Sequence, residues 1–136
     1  MAKLKLEIIT PERVLLSQEV TEVQIPTLNG EIGILPGHTS LISQLAVAGI
    51  LKYRDEGKER IAVVGSGFVE VFADKITILS SLAENPEDIN IEKARGELEA
   101  AERILRAAEK DLDISISDAL AKIELATVRV QAAQNK

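Results

Sequence analysis

The chain has 136 residues, of which 46% are apolar and 28% charged, the balance of a globular fold in one domain or two small ones. Sixteen Lys and Arg stand against 22 Asp and Glu, a net charge of -6 that argues against nucleic acid as a partner, since a nucleic-acid binder needs a basic stripe. With no cysteine there are no disulfides, thiolate metal sites or cysteine nucleophiles, and no apolar run reaches the roughly 18–20 residues of a membrane span.

Along the first part of the chain the grammar is that of strands. Leu4, Leu6 and Ile8 alternate with Lys3, Lys5 and Glu7, a period of two that sends one face inward. Thr10-Pro11-Glu12-Arg13 breaks this run, and Val20, Val23 and Ile25 open further extended segments before Pro26. Asn29-Gly30 predicts a hairpin turn, because both residues tolerate positive φ. Asp55-Glu56-Gly57-Lys58 predicts a second hairpin between Ile50–Tyr53 and Ile61–Val64, and Ala73-Asp74-Lys75 a third between Phe68–Phe72 and Ile76–Leu79. Short strands with turns at this spacing predict a β-sandwich or barrel over residues 1–84.

The grammar changes at Ala83. Seven of the eight glycines precede it, and ten alanines follow it. Ile91, Ala94, Leu98, Ala101, Leu105, Ala108 and Leu112 recur at alternating spacings of three and four, as do Ile116, Ala119, Ile123, Ala126, Val130 and Ala133. Each set is a narrow apolar stripe of the coiled-coil kind, so residues 85–136 predict two helices. The short segment Asp111–Ser115 folds them back antiparallel, with Asp88 or Asn90 capping the first and Ser115 or Ser117 the second. Alanine at every second knob lets the helices approach closely but buries little area, so the hairpin is either a rigid structural element or one that can leave its resting contacts.

Few residues carry chemistry. Gly65-Ser66-Gly67 lacks the third glycine and the following helix of a dinucleotide loop, and reads instead as a bulge or sharp bend in a sheet. His38, the only histidine, has Ser40 and Ser43 nearby in sequence but no nucleophile-elbow motif, and no clustered spacing supports a metal site. These absences count against a catalytic site. What stands out is Asn29–Leu41, where glycines and prolines interleave with polar groups in one long loop: a binding surface held by a sheet, or a complicated corner.

At this segment the sequence resembles the epsilon-subunit family of F-type ATP synthases. GEIGILPGHTSL, residues 30–41, matches that family's GxxGILPGHxPL pattern, with Ser40 where proline is frequent. The resemblance extends to Leu6–Arg13, Ala48–Arg54 and Val64–Val71, and to the order of parts, so it covers nearly the whole chain. It implies a β-sandwich followed by an antiparallel two-helix hairpin, in a non-catalytic rotor chain peripheral to an energy-transducing membrane. A bacterial cytoplasmic face is the expected location, with the thylakoid surface as the alternative. The implied partners are the gamma subunit and c-ring for the sandwich, and the alpha and beta subunits of the catalytic head for a hairpin that can hinder ATP hydrolysis.

The resemblance also implies site residues. Gly30, Glu31, Ile32 and Gly33 fall in the loop facing the polar loops of the c-ring, with His38 following in the same loop, and an acidic Glu31 suits a partner surface carrying Arg or Lys. Arg103, Arg106, Lys110, Lys122 and Arg129 are candidates for pairing with acidic segments of the head. Some members bind ATP through Ile-Asp-x-x-Arg-Ala at the first helix start, where this chain reads Ile89-Asn90-Ile91-Glu92-Lys93-Ala94. Asn90 removes the acid and Lys93 the bidentate guanidinium fork, so with Glu84 alone in place the expectation is no nucleotide, no metal and no other cofactor.

Overall fold

A computed structural model describes residues 2–38 and 40–134. The chain separates into two compact units, residues 1–85 and 86–136. The first holds ten strands: β1 (Leu4–Ile9), β2 (Val14–Val20), β3 (Glu22–Thr27), β4 (Gly30–Ile34), β5 (Leu41–Gln44), β6 (Ala48–Asp55), β7 (Lys58–Gly65), β8 (Gly67–Phe72), β9 (Lys75–Ser80) and β10 (Ala83–Glu84). They form two five-stranded sheets, ordered β2-β1-β9-β8-β5 and β10-β7-β6-β3-β4.

Period two decides which side chains meet between the sheets. Leu4, Leu6, Ile8, Val20, Val69, Val71, Ile76 and Ile78 of the first sheet form one buried cluster with Val23, Ile25, Ile34, Leu51, Tyr53, Ala62 and Val64 of the second. Each large aliphatic side chain so buried contributes about 1.5–3 kcal/mol. Among the named strands, all pairings are antiparallel except that of β1 with β9, which is parallel. Parallel neighbours need a long crossover, and here strands β2 to β8, drawn from both sheets, lie between them in the chain.

The chain passes from the second sheet to the first at Ser66, between β7 and β8, and returns at Ser81-Leu82, between β9 and β10. These crossings lie side by side: Ser81 N–H donates to Ser66 O at 2.8 Å, and Gly65 N–H to Leu82 O at 3.0 Å. Between them the buried Ser80 hydroxyl donates to Leu82 O at 2.6 Å and accepts from Gly65 N–H at 2.9 Å. Gly67 has φ +154°, and a Cβ there would sit 1.9 Å from Leu79 O. The glycines therefore make a sharp corner, as the strand grammar around them requires.

Two turn expectations shift. Pro26 lies inside β3 rather than after an extended segment, paired with Glu31. Its missing donor costs nothing there, because β6 pairs β3 only at Glu22, Val23 and Gln24. The first hairpin turns on Leu28-Asn29, and Gly30 opens β4 with φ +109°. Asn29 keeps a negative φ; its N–H donates to Thr27 Oγ1, whose hydroxyl donates to Gly30 O.

In the second unit a 3₁₀ turn (Pro86–Asp88) precedes α1 (Ile91–Ala108) and α2 (Ile116–Gln134). Asn90 caps α1 by accepting Lys93 N–H at 3.1 Å, and Ser115 caps α2 by accepting Asp118 N–H at 3.2 Å. Arg129, late in α2, donates to Glu97 in the first half of α1, so the helices run antiparallel. The seam buries its alanines, Ala94, Ala101, Ala108, Ala119, Ala126 and Ala133. Leu112, read as the last knob of the first stripe, is instead fully exposed beyond α1, and Ile116 is half exposed. The helix stops early because Asp111 accepts Asp113 N–H with its own side chain, a local bond that competes with helix continuation.

Two glycines and one ion pair test this architecture. Gly67→Ala lowers stability by about 3 kcal/mol or more, since backbone strain and a clash with backbone act together. Gly96→Ala, in open space on α1, raises it by about 0.5–1 kcal/mol, both read by urea unfolding. On the outer face of the first sheet, Lys75 Nζ lies 2.9 Å from Glu7 Oε1. That hydrogen bond holds the Glu7 carboxyl below its ordinary value of 4.5 and raises the Lys75 ammonium above its ordinary 10.5. A depressed carboxyl stabilises the fold above its unfolded value and loses that contribution as pH falls through its folded value. The Tm of Lys75→Met should therefore fall less than that of the unaltered chain when pH is lowered from about 5 to about 3.

Candidate functional site

Three surfaces of the molecule have the character of docking sites. The first is an edge and its exit. β4 is the outermost strand of its sheet, paired only with β3, so Gly30, Glu31, Ile32 and Gly33 belong to a strand edge rather than to a loop. The Leu28-Asn29 turn is the reason, since it folds these residues back onto β3. Glu31 and Gly33 are exposed, and Ile32 is half-buried against the core. His38 is in the loop beyond, exposed, its N–H donating to Leu35 O at 3.1 Å. The same loop is tied to the β8–β9 turn: Gly37 N–H donates to Asp74 Oδ1 at 2.7 Å. Thr39, within the matched segment, lies outside the described residues.

The second surface is the outer face of the first sheet, and strand register builds it. Ile9 stands opposite both Val14 and Leu79, and Leu79 opposite Phe68, so these four cross β2, β1, β9 and β8 in one apolar row. Val14, Leu79 and Phe68 are each more than half exposed. The next row, Ser17, Glu7, Thr77, Glu70 and Ile42, is mainly polar, and the row after it carries Glu19, Lys5, Lys75 and Phe72. Phe68 and Phe72 are the chain's two phenylalanines, and both point out of the core. The sequence reading missed this face. Its signal was present in Phe68-Val69-Glu70-Val71-Phe72, where apolar residues occupy both parities of one strand.

The third surface is the hairpin. Arg103 and Arg106 are exposed on α1, Lys110 follows in the turn, and Lys122 is exposed on α2. Arg129 differs from the other four candidates: its Nη1 lies 2.7 Å from Glu97 Oε2 and its side chain is only 20% exposed, so it works within the hairpin. The nucleotide candidates divide between the units. Glu84 is half-buried in β10 of the first unit, while Asn90 and Lys93 open α1 in the second. The Asn90 side-chain oxygen is engaged as the α1 cap. Among the described residues no group of three His, Cys, Asp or Glu could hold a metal ion, and no helix is long and apolar enough to cross a membrane.

A family model described as ATP synthase, Delta/Epsilon chain, beta-sandwich domain matches residues 3–86. An ATP synthase epsilon chain of Moorella thermoacetica is 43% identical over 135 residues, 98% of each chain. One of Solibacter usitatus is 39% identical over 133 residues, covering 98% of this chain and 97% of that one. Among solved structures, a chain of the Euglena gracilis mitochondrial ATP synthase (OSCP/F1/c-ring in rotational state 1) superposes with a TM-score of 0.84 at 28% identity, over 98% of this chain and 82% of that one. Sandwich, hairpin and near full-length identity agree, and the chain belongs to the ATP synthase epsilon chain family.

Proposed function

We propose that the chain is a non-catalytic rotor chain of the proton-translocating ATP synthase, coupling rotation of the c-ring and gamma subunit to ATP synthesis in the catalytic head. The observation that carries this reading is the continuous apolar row Val14, Ile9, Leu79 and Phe68 on a sheet face whose other rows are mainly polar or charged. A contiguous apolar patch of this kind, bordered by charge, marks a protein contact. Here it receives the gamma subunit. The rigid two-sheet core lets force applied at the β4 edge and the 35–38 loop, where the c-ring's polar loops sit, pass to gamma without the sandwich yielding. Glu31, exposed on that edge, selects a cationic partner surface and fixes register.

The hairpin is the regulatory part. Its alanine seam holds less buried area than a leucine seam, so exchanging its resting contacts for contacts with the alpha and beta subunits involves only a few kcal/mol. Arg103, Arg106, Lys110 and Lys122, exposed on the hairpin, meet acidic segments of the head and hinder ATP hydrolysis. With Asn90 engaged as a cap and Lys93 lacking a planar fork, ATP does not act as a regulatory ligand, and no cofactor is required. The chain works peripherally, on the cytoplasmic face of a bacterial membrane, held there through the complex.

Phe68→Asp combined with Leu79→Asp should abolish co-purification with the gamma subunit while leaving the circular dichroism spectrum and cooperative unfolding intact, because both side chains are outside the core. Retained co-purification would remove the apolar row from the account. Reversing Arg103, Arg106 and Lys122 together to Glu should raise ATP hydrolysis by the assembled head at least twofold, in low salt more than in high.

A further inference from the structure

Two of the sandwich's three two-residue hairpins, β6–β7 and β8–β9, follow different rules. Asp55 pairs with Lys58 across Glu56-Gly57, and Phe72 pairs with Lys75 across Ala73-Asp74. Both turns place their two central residues at positive φ: 50° and 81° in the first, 50° and 61° in the second. Such turns strongly favour glycine in the second position. Gly57 obeys that preference and Asp74 does not, so the β8–β9 turn keeps a strained residue where a relaxed one is available.

What Asp74 gains by being aspartate is visible in its contacts. Its Oδ1 accepts Gly37 N–H at 2.7 Å, across 37 residues of sequence. Gly37 is the midpoint of the segment that leaves the second sheet at Ile34 and enters the first at Leu41, beside Val71 of β8. Gly37 itself has φ +83°, and His38 N–H closes the turn on Leu35 O. The backbone of Asp74 is fixed independently, its carbonyl accepting Lys5 N–H at 2.9 Å. The carboxylate therefore hangs from an anchored turn and grips a long crossover at one point. Ser40, Leu41, Ile42, Glu70, Val71 and Phe72 line a recess on the same side, between the crossover's exit and the arm of the gripping hairpin.

We infer that Asp74 is a positioning residue for the partner-facing crossover, holding Leu35–His38 in the conformation that meets the c-ring, with strain in the β8–β9 turn as its consequence. The inference rests on assigning that crossover to the c-ring. Its physical half does not, and can be measured on the isolated full chain.

The test compares the unaltered chain with Asp74→Gly and Asp74→Asn. Glycine suits the turn and removes the carboxylate; asparagine tolerates the same φ and keeps an acceptor oxygen. Asp74→Gly should leave Tm unchanged or raised while amide exchange at Gly37 accelerates at least tenfold, and Asp74→Asn should retain most of the protection. In the reassembled synthase, ATP-driven proton pumping should fall at least threefold with Asp74→Gly at unchanged ATP hydrolysis, and recover with Asp74→Asn. Unchanged exchange at Gly37 in Asp74→Gly overturns the inference, whatever the pumping result. Faster exchange with undiminished pumping overturns the positioning role. If Glu31→Lys also leaves pumping undiminished, the failure lies in the c-ring assignment itself.

Discussion

One buried hydroxyl and one glycine sit where the chain twice changes sheets, and the rest of the sandwich depends on that corner. Ser80 bonds to both crossings, reaching Gly65 on one and Leu82 on the other. Gly67 turns out of the second sheet in a conformation that leaves no space for a Cβ against Leu79 O. Together they fix where β8 begins relative to β9. That register sets Phe68 opposite Leu79 and Phe72 opposite Lys75, so it decides which side chains form the outer apolar row and where the Ala73-Asp74 turn falls. A one-residue slip would send Val69 and Val71 outward and the phenylalanines into the core. The corner is therefore the local cause of both the docking face and the grip on the crossover.

The two units differ in how they are stabilised, and the difference suits different tasks. The sandwich buries large aliphatic side chains from both sheets almost completely, giving a body that resists deformation. The hairpin buries alanines, leaves Ile104, Leu112, Ile116 and Leu120 partly or wholly exposed, and adds the ion pair between Arg129 and Glu97. Apolar surface in excess of what a seam can cover is what an element needs if it is to make alternative contacts at little net cost. The proposed function, a body that transmits force and an arm that changes partners, calls for these opposite packing choices.

Much of this was legible in the residues. Strict alternation in β1 and the three-four spacing of the helices placed both units, and Asn90 and Ser115 were among the residues named as caps. Turn positions were less legible, because a dipeptide preference competes with register. Asn29-Gly30 marks its hairpin, yet the turn centres one residue earlier, on Leu28-Asn29, and five residues of the expected loop, Gly30–Ile34, form an edge strand. Leu112 followed the heptad but lost to the local bonding of Asp111. The docking row could not be read from any one segment: Val14, Ile9, Leu79 and Phe68 become neighbours only once β1 and β9 pair in parallel, a contact spanning most of the sandwich sequence. Nor does sequence spacing bring Asp74 to Gly37.

In the proposed function, the sandwich holds the chain's place in the rotor and the hairpin governs hydrolysis. The most direct measurement is ATP hydrolysis by a gamma-containing catalytic head alone, with the full chain, and with a version ending at Asn85. The account predicts that both versions bind and only the full chain inhibits. Binding of both without inhibition by either would contradict a regulatory hairpin, and failure of both to bind would contradict the rotor assignment.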